Sequence, residues 1–193
     1  MVFLLRETGI KRFSNTNPIV LELGCGKGEY AVGLAKTYPG KNFIGMDVKG
    51  ARLWRGCRTV KDQNLPNVAF IRSMIDHIEY YFAPCEISEI WITFPDPQPG
   101  KEKKRLTSSR FLTKYQRILK PGGVIHLKTD DKDFYNFTLL ALSENGCNLG
   151  LCTDDLYNSG SVEDAVKFQT YYEDLWLEIN KKICYLRFSF RKN

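Results

Sequence analysis

The stretch VLELGCGKGEY, residues 20–30, decides how the rest of this chain is read. Its first half belongs to an apolar run from Pro18 to Leu23, broken only by Glu22, which predicts a buried strand. Gly24, Gly26 and Gly28 then predict a sharp turn whose backbone comes close to a bound ligand, because a Cβ there would clash. A helix opens at about Glu29. Strand, glycine turn and helix N-terminus, in that order, form the usual cradle for a nucleotide-like cofactor. Spacing narrows the choice. The dinucleotide fingerprint closes Gly-x-Gly-x-x with a small residue, and here that place holds Glu29, a carboxylate that would sit badly against a pyrophosphate. Glu22, just ahead of the glycines, is instead placed to pair with a cationic amino-acid portion of a ligand.

Outward from this stretch, short apolar strands alternate with helical patterns, without repeats or breaks in composition. One domain over residues 1–193 is expected, with 1–17 as a short N-terminal extension. Its architecture is a doubly wound, Rossmann-like α/β fold. The sheet should have seven strands, mostly parallel, with an antiparallel strand near the C-terminus. Strands are predicted at 41–47, 67–71, 86–94 and 124–129, with a closing pair at 147–153 and 182–190. A helix over 50–63 puts Leu53, Trp54 and Cys57 on one side, and 76–82 is a short aromatic helix. A helix over 108–119 is stopped by the glycine turn KPGG, 120–123. The helix from Asp131 to Glu144 turns Phe134, Phe137 and Leu140 inward.

Composition is globular, with 43% hydrophobic and 26% charged residues among 193. Lys and Arg outnumber Asp and Glu by 28 to 22, a net +6 that fits a polyanionic partner without requiring one. The six cysteines show no C-x-x-C and no zinc spacing, so they read as reduced thiols of a cytoplasmic protein. MVFLLR is too short an apolar run for a signal peptide, and no later run approaches a membrane span. His77 and His126 show no sequence spacing that points to metal or acid–base chemistry and read as structural. No metal and no membrane partner are expected; monomer and homodimer both stay open.

The glycine stretch resembles motif I of class I S-adenosylmethionine-dependent methyltransferases. That resemblance implies S-adenosylmethionine as cofactor and S-adenosylhomocysteine as product. A ribose then needs an acidic acceptor at the end of the second strand, where Asp47 stands 19 residues beyond Gly28. A strand-end Asp can also be a helix N-cap. The adenine would lie against Ser73 and Met74 after the third strand, through backbone N–H groups and packing, with Asp76 two residues late for a polar contact.

The fourth strand runs into ITFPDPQPG, residues 92–100. Pro95, Pro97 and Pro99 fix φ at alternate positions, so Asp96 is held on a stiff loop at the carboxyl edge of the sheet. Lys101, Lys103, Lys104 and Arg105 follow. A rigid acid beside a cationic run suits a base flanked by phosphates. FPDPQPGKEKKRLT resembles the signature loop of the bacterial tRNA (guanine-N7-)-methyltransferase family, and three more segments agree in chain order. ELGCGKG matches that family's motif I, LKTDDKDF (127–134) is similar to its TD segment, and QTYYEDLW (169–176) to its late T-x-Y/F-E motif.

The resemblance implies transfer of a methyl group to N7 of a guanine in the variable loop of tRNA, with Asp96 as catalytic residue. It also implies substrate contacts from Asp130, Thr170, Tyr171, Tyr172 and Glu173. Lys101 would replace a family lysine lost at Gly100. Gln98 stands where the family usually has Trp, the arginine-rich end of the loop is shorter, and the basic arm many relatives carry ahead of the first strand is reduced to about 17 residues. Tyr171, Tyr172 and Phe94 are stacking candidates, or core. Lys49, Arg52 and Arg55 recur at helical spacing and read as a solvated helix face.

Two other readings compete. A methyltransferase for a small molecule or an exocyclic amine is disfavoured because the loop reads Pro-Asp-Pro-Gln, without the aromatic of amine-methylating turns. A catalytically dead RNA- or protein-binding module is disfavoured by the intact Glu22, glycine triplet, Asp47 and Asp96.

Overall fold

A computed structural model describes residues 13–160 and 163–191. The first strand, β1 (Ile19–Leu23), is buried along its whole length and lies inside a seven-stranded sheet. Helix α1 (Glu29–Thr37), β2 (Asn42–Asp47), helix α2 (Gly50–Asp62) and β3 (Val68–Arg72) follow, then a 3-10 turn over Ile75–Tyr80. The chain then returns to the other side of β1 as β4 (Ile87–Thr93), and continues through helix α3 (Ser109–Ile118), β5 (Leu119–Thr129) and helix α4 (Lys132–Glu144). The strand β6 (Cys147–Thr153), helices α5 (Glu163–Lys167) and α6 (Tyr171–Glu178), and β7 (Cys184–Phe190) complete it.

The strand order is β3-β2-β1-β4-β5-β7-β6, and β7 runs antiparallel to both neighbours. The single antiparallel strand near the C-terminus is therefore β7. The order reverses between β1 and β4, and in open α/β sheets that switch point is where a crevice forms beyond the carboxyl ends of the strands.

Alternation along the strands divides the core. Val20, Phe43, Phe70 and Trp91 face α1 and α2; Leu21, Ile44, Ile71, Ile90 and Ile92 face α3 and α4. The sheet is covered on both sides, which explains its nearly continuous apolar strands.

Three local expectations are corrected. KPGG does not stop a helix by a glycine turn: Ile118 hands over directly to extended Leu119, which already pairs with Ile87. Lys120–Gly123 are the surplus residues of a bulge between the Ile87 and Glu89 pairings, with Gly122 at φ 80°. In α2 the inward partner of Leu53 is Gly56, where a Cβ would lie 2.7 Å from the Phe70 ring and 2.6 Å from the Lys27 carbonyl; Trp54 points out, 56% exposed. In α4 the buried face is Phe134, Thr138, Ala141 and Leu142, while Leu140 is exposed. A step of three drifts off a 3.6-residue period, so Phe134, Phe137 and Leu140 cannot all point inward.

Candidate functional site

Two adjoining cavities open at the switch point, of about 240 and 620 Å³, sharing Gly24, Arg52 and Phe94 in their walls. The glycine turn forms the shared wall. Gly24, Gly26 and Gly28 have φ of 72°, 56° and 72°, left-handed values that residues with a Cβ rarely adopt. Their surroundings differ. A Cβ on Gly24 or Gly26 would meet nothing within 4 Å, whereas one on Gly28 would lie 2.3 Å from Phe70. Gly24 and Gly26 keep backbone bare toward open space; Gly28 lets α1 seat on β3.

Glu22 lies beneath this turn, 3% exposed, and lines the smaller cavity. Its Oε2 accepts the Ala31 N–H at 3.0 Å, and its Oε1 lies 3.1 Å from the Thr93 hydroxyl. Burial outweighs these two contacts and pushes its carboxyl up to about 8. Asp47, also buried, accepts the Gly26 N–H at 2.9 Å and the Lys49 N–H at 2.8 Å, and so ties the glycine turn to the end of β2 while lining the larger cavity. Met74 lines that cavity and is 54% exposed. Ser73 is not among its lining residues; its N–H donates to the Asp47 carbonyl at 3.1 Å. Asp76 reaches the cavity and is paired with Arg110.

Asp96 is exposed and lines the larger cavity together with Asp47, and its Oδ1 accepts the Gln98 N–H at 3.0 Å. Besides the prolines, two non-glycine residues fix the loop: Phe94 and Gln98 hold φ of 48° and 49°, conformations that cost about 1–2 kcal/mol each. A third constraint is Arg105. Buried under the loop, it donates from Nε to the Pro97 carbonyl at 2.9 Å, with its guanidinium 4.6 Å from the Phe137 ring centre. Of the basic run, Lys104 lines the cavity and Lys101 does not.

Thr170, Tyr171 and Tyr172 line the smaller cavity. Thr170 is the N-cap of α6 in a capping box with Glu173. The Tyr171 N–H donates to Glu29 Oε2 at 3.2 Å, and Arg52 donates to the Tyr172 hydroxyl at 3.3 Å. Glu173 does not face a cavity: it is fully buried, with Lys128 Nζ at 2.5 Å and the Tyr157 hydroxyl donating at 2.8 Å. Asp130 lines neither cavity and pairs with Lys181 at 2.5 Å.

The buried Lys128 is the residue sequence reasoning missed. On β5 beside Thr93, it accepts the Phe94 N–H through its carbonyl at 2.9 Å. Its Nζ donates to the Ala165 carbonyl at 2.5 Å besides pairing with Glu173. Burial pulls its ammonium below the ordinary lysine value, against the opposing pull of Glu173. One residue thus joins the Asp96 loop to the Thr170–Tyr172 segment. Its sequence signal is a lysine after Leu127 near the end of a central strand. Arg52, expected on a solvated helix face, and Glu29, expected to open α1, both bond the Tyr171–Tyr172 segment. Among the described residues no cluster of His, Cys, Asp or Glu could hold a metal ion, and no helix is long and apolar enough to cross a membrane.

Known proteins similar to this chain are methyltransferases. A family model described as "Putative methyltransferase" matches residues 16–186. The chain is 51% identical over 178 residues to a tRNA (guanine-N(7)-)-methyltransferase of Porphyromonas gingivalis, covering 92% of this chain and 73% of that one. It is 50% identical over 182 residues to the protein of the same name from Christiangramia forsetii, covering 93% and 81%. In fold it is similar to the crystal structure of the 16S rRNA methyltransferase KamB, with a TM-score of 0.72 at 15% identity over 94% of this chain and 92% of that one.

Proposed function

Given that the chain belongs to the tRNA (guanine-N7-)-methyltransferase family, we propose that it transfers a methyl group from S-adenosylmethionine to N7 of a guanine in the variable loop of tRNA. The observation that carries this reading is a single cavity whose walls bring together Gly24, Asp47 and Asp96, the glycine turn, the ribose-type acceptor and the loop carboxylate.

The residues present fit the cofactor. Gly24 and Gly26 offer bare backbone to it, Glu22 a buried carboxyl that a cationic amino group would ionise, Asp47 an acceptor for ribose hydroxyls, and Met74 an apolar surface for the adenine. When bound, S-adenosylmethionine supplies an electrophilic sulfonium methyl.

N7 of guanine carries a lone pair and no proton, so no general base is needed; positioning and electrostatics carry the reaction. Asp96 accepts hydrogen bonds from the N1–H and N2–H2 edge, orienting the ring and offsetting the positive charge that grows on it. The stiff loop holds this acceptor in place before the base arrives. Tyr171 and Tyr172, about half exposed, and Phe94 offer faces or edges to the nucleoside, and Thr170 a hydroxyl. Lys104 faces substrate phosphates from the loop, in the part expected of Lys101. Glu173 acts through Lys128, fixing the turn that carries the two tyrosines.

Incubating unmodified tRNA with labelled S-adenosylmethionine and digesting to nucleosides tests the proposal. Label in 7-methylguanosine is the expected result; label in another nucleoside, or none, refutes it.

A further inference from the structure

Helix α2 presents to solvent a face that nothing in the cofactor site explains. Leu53 and Gly56 hold its inner side against the sheet, with Gly56 wedged on Phe70 and the Lys27 carbonyl. Its other side carries Trp54, 56% exposed, together with exposed Arg55, Arg58 and Lys61. The Arg58 guanidinium lies 5.7 Å from the Trp54 ring centre, and its carboxylate neighbour Asp62 is the one acid on the helix, 3.6 Å away. Arg52, Arg55, Arg58 and Lys61 against Asp62, with Lys49 at the N-cap, leave a net +4, while the whole chain carries +6. The charge excess of this protein is thus concentrated at one helix. Arg52, in the first turn, stands in the wall shared by both cavities, so the basic face begins at the mouth of the site and runs away from it.

We infer that the outer face of α2 is a docking surface for the RNA backbone beside the target guanine, with Arg55 and Arg58 against phosphates and Trp54 against an unstacked base. The inference rests on the tRNA reading above. Charge complementarity decides the occupant: phosphates release counterions from arginines, and an exposed indole with an arginine over it is a sequence-tolerant platform for a base. An apolar protein partner would have little to bury here beyond one ring. The helix is about 20 Å long, enough to follow several nucleotides. Arg52 shares the lining of the larger cavity with Lys104 and Asp96, so the basic helix and the basic loop meet at the cavity that holds the loop carboxylate.

The test uses the full chain and unmodified tRNA. Arg55→Glu/Arg58→Glu is compared with Lys120→Glu, a charge reversal in the β5 bulge outside both cavities, and with Trp54→Ala. The double reversal should raise the tRNA Kd at least tenfold at physiological salt and flatten the slope of log Kd against log salt by about 1.4, that of two single-strand phosphate contacts. Trp54→Ala should raise Kd about tenfold with an unchanged slope. Lys120→Glu should leave affinity and slope near wild type, and S-adenosylmethionine affinity by calorimetry should be the same in all four proteins. Equal losses in Lys120→Glu would mean net charge alone, and a double reversal with wild-type Kd and slope would mean a solvated face; either overturns the inference. A dimer lost on reversal with tRNA binding unchanged would assign the face to a second copy and overturn it as well. A wild-type protein that binds no tRNA would instead remove the functional reading beneath it.

Discussion

Glu22→Gln isolates the most unusual charge in the molecule. The folded carboxyl titrates near 8 against an ordinary 4.5 because burial penalises the anion more than its two contacts favour it. A value raised on folding means that the protonated acid is the form the fold prefers. Its stabilising contribution is complete below 4.5 and is lost as pH rises toward 8. Between pH 6 and 8 the unfolded chain gains the full ionisation free energy, about 1.4 kcal/mol per pH unit. The folded chain gains only a few tenths, reaching half ionisation at the top of the window. The wild type should therefore lose on the order of 2 kcal/mol across these two pH units that the Gln variant keeps. Gln suits the pocket as the protonated acid does: its carbonyl accepts from the Ala31 N–H, and its amide donates to the Thr93 hydroxyl oxygen, which can reverse its role. Urea unfolding of both proteins at pH 6, 7 and 8 measures the difference, and groups common to both cancel. Parallel curves would refute the reasoning, because they would mean that Glu22 ionises in the fold as readily as outside it. The same variant should bind S-adenosylmethionine at least tenfold more weakly, having lost a charged partner for the amino group.

Asp96→Ala should keep calorimetric affinity for S-adenosylmethionine within about threefold while methyl transfer to tRNA falls by at least 100-fold, as expected when a preorganised electrostatic contact is removed; normal turnover would dismiss Asp96 from the reaction. Lys128→Met leaves Glu173 buried without its cation and should destabilise by about 3–5 kcal/mol in denaturant melts, whereas Lys128→Met/Glu173→Gln, which removes the stranded charge and keeps a carbonyl acceptor for the Tyr157 hydroxyl, should recover part of that. No recovery in the double variant would mean that the ion pair is not the cause. Gly28→Ala should cost more stability than Gly24→Ala, since it adds a Cβ 2.3 Å from Phe70 to a shared left-handed strain of about 1–2 kcal/mol. Gly24→Ala should instead show its main effect as lost cofactor affinity; the opposite ranking would reverse the two roles.

The expected site residues divide by the range of the forces that place them. Gly24, Gly26, Asp47 and Asp96 line the two cavities because each lies within a few residues of a strand end, and a parallel sheet carries strand ends to a common edge. Thr170, Tyr171 and Tyr172 reach the same edge from far along the chain, visible in the sequence only as a family resemblance. Asp130 and Glu173 share those motifs yet turn to Lys181 and Lys128, since a carboxylate goes where a cation or N–H neutralises it. Helix registers were less legible. Which of Leu53, Trp54, Gly56 and Cys57 faces the sheet depends on how much room Phe70 leaves, and a steric limit set from another strand has no local signature. The bulge at Lys120–Gly123 was misread for a related reason: Pro and Gly announce a break in regular backbone, and only the pairing of Leu119 with Ile87 reveals that the break lies inside a strand.

By itself, VLELGCGKGEY determined that a strand would break into a glycine turn over an α/β sheet, because backbone sterics and alternation act between near neighbours. The tertiary structure decided what each glycine and carboxylate of that stretch is for. Gly24 and Gly26 face open space and Gly28 faces a phenyl ring; Glu22 is driven toward neutrality and Asp47 is held by two N–H groups. Those differences come from desolvation and packing against residues distant in sequence, and such effects exist only once the chain has closed around them.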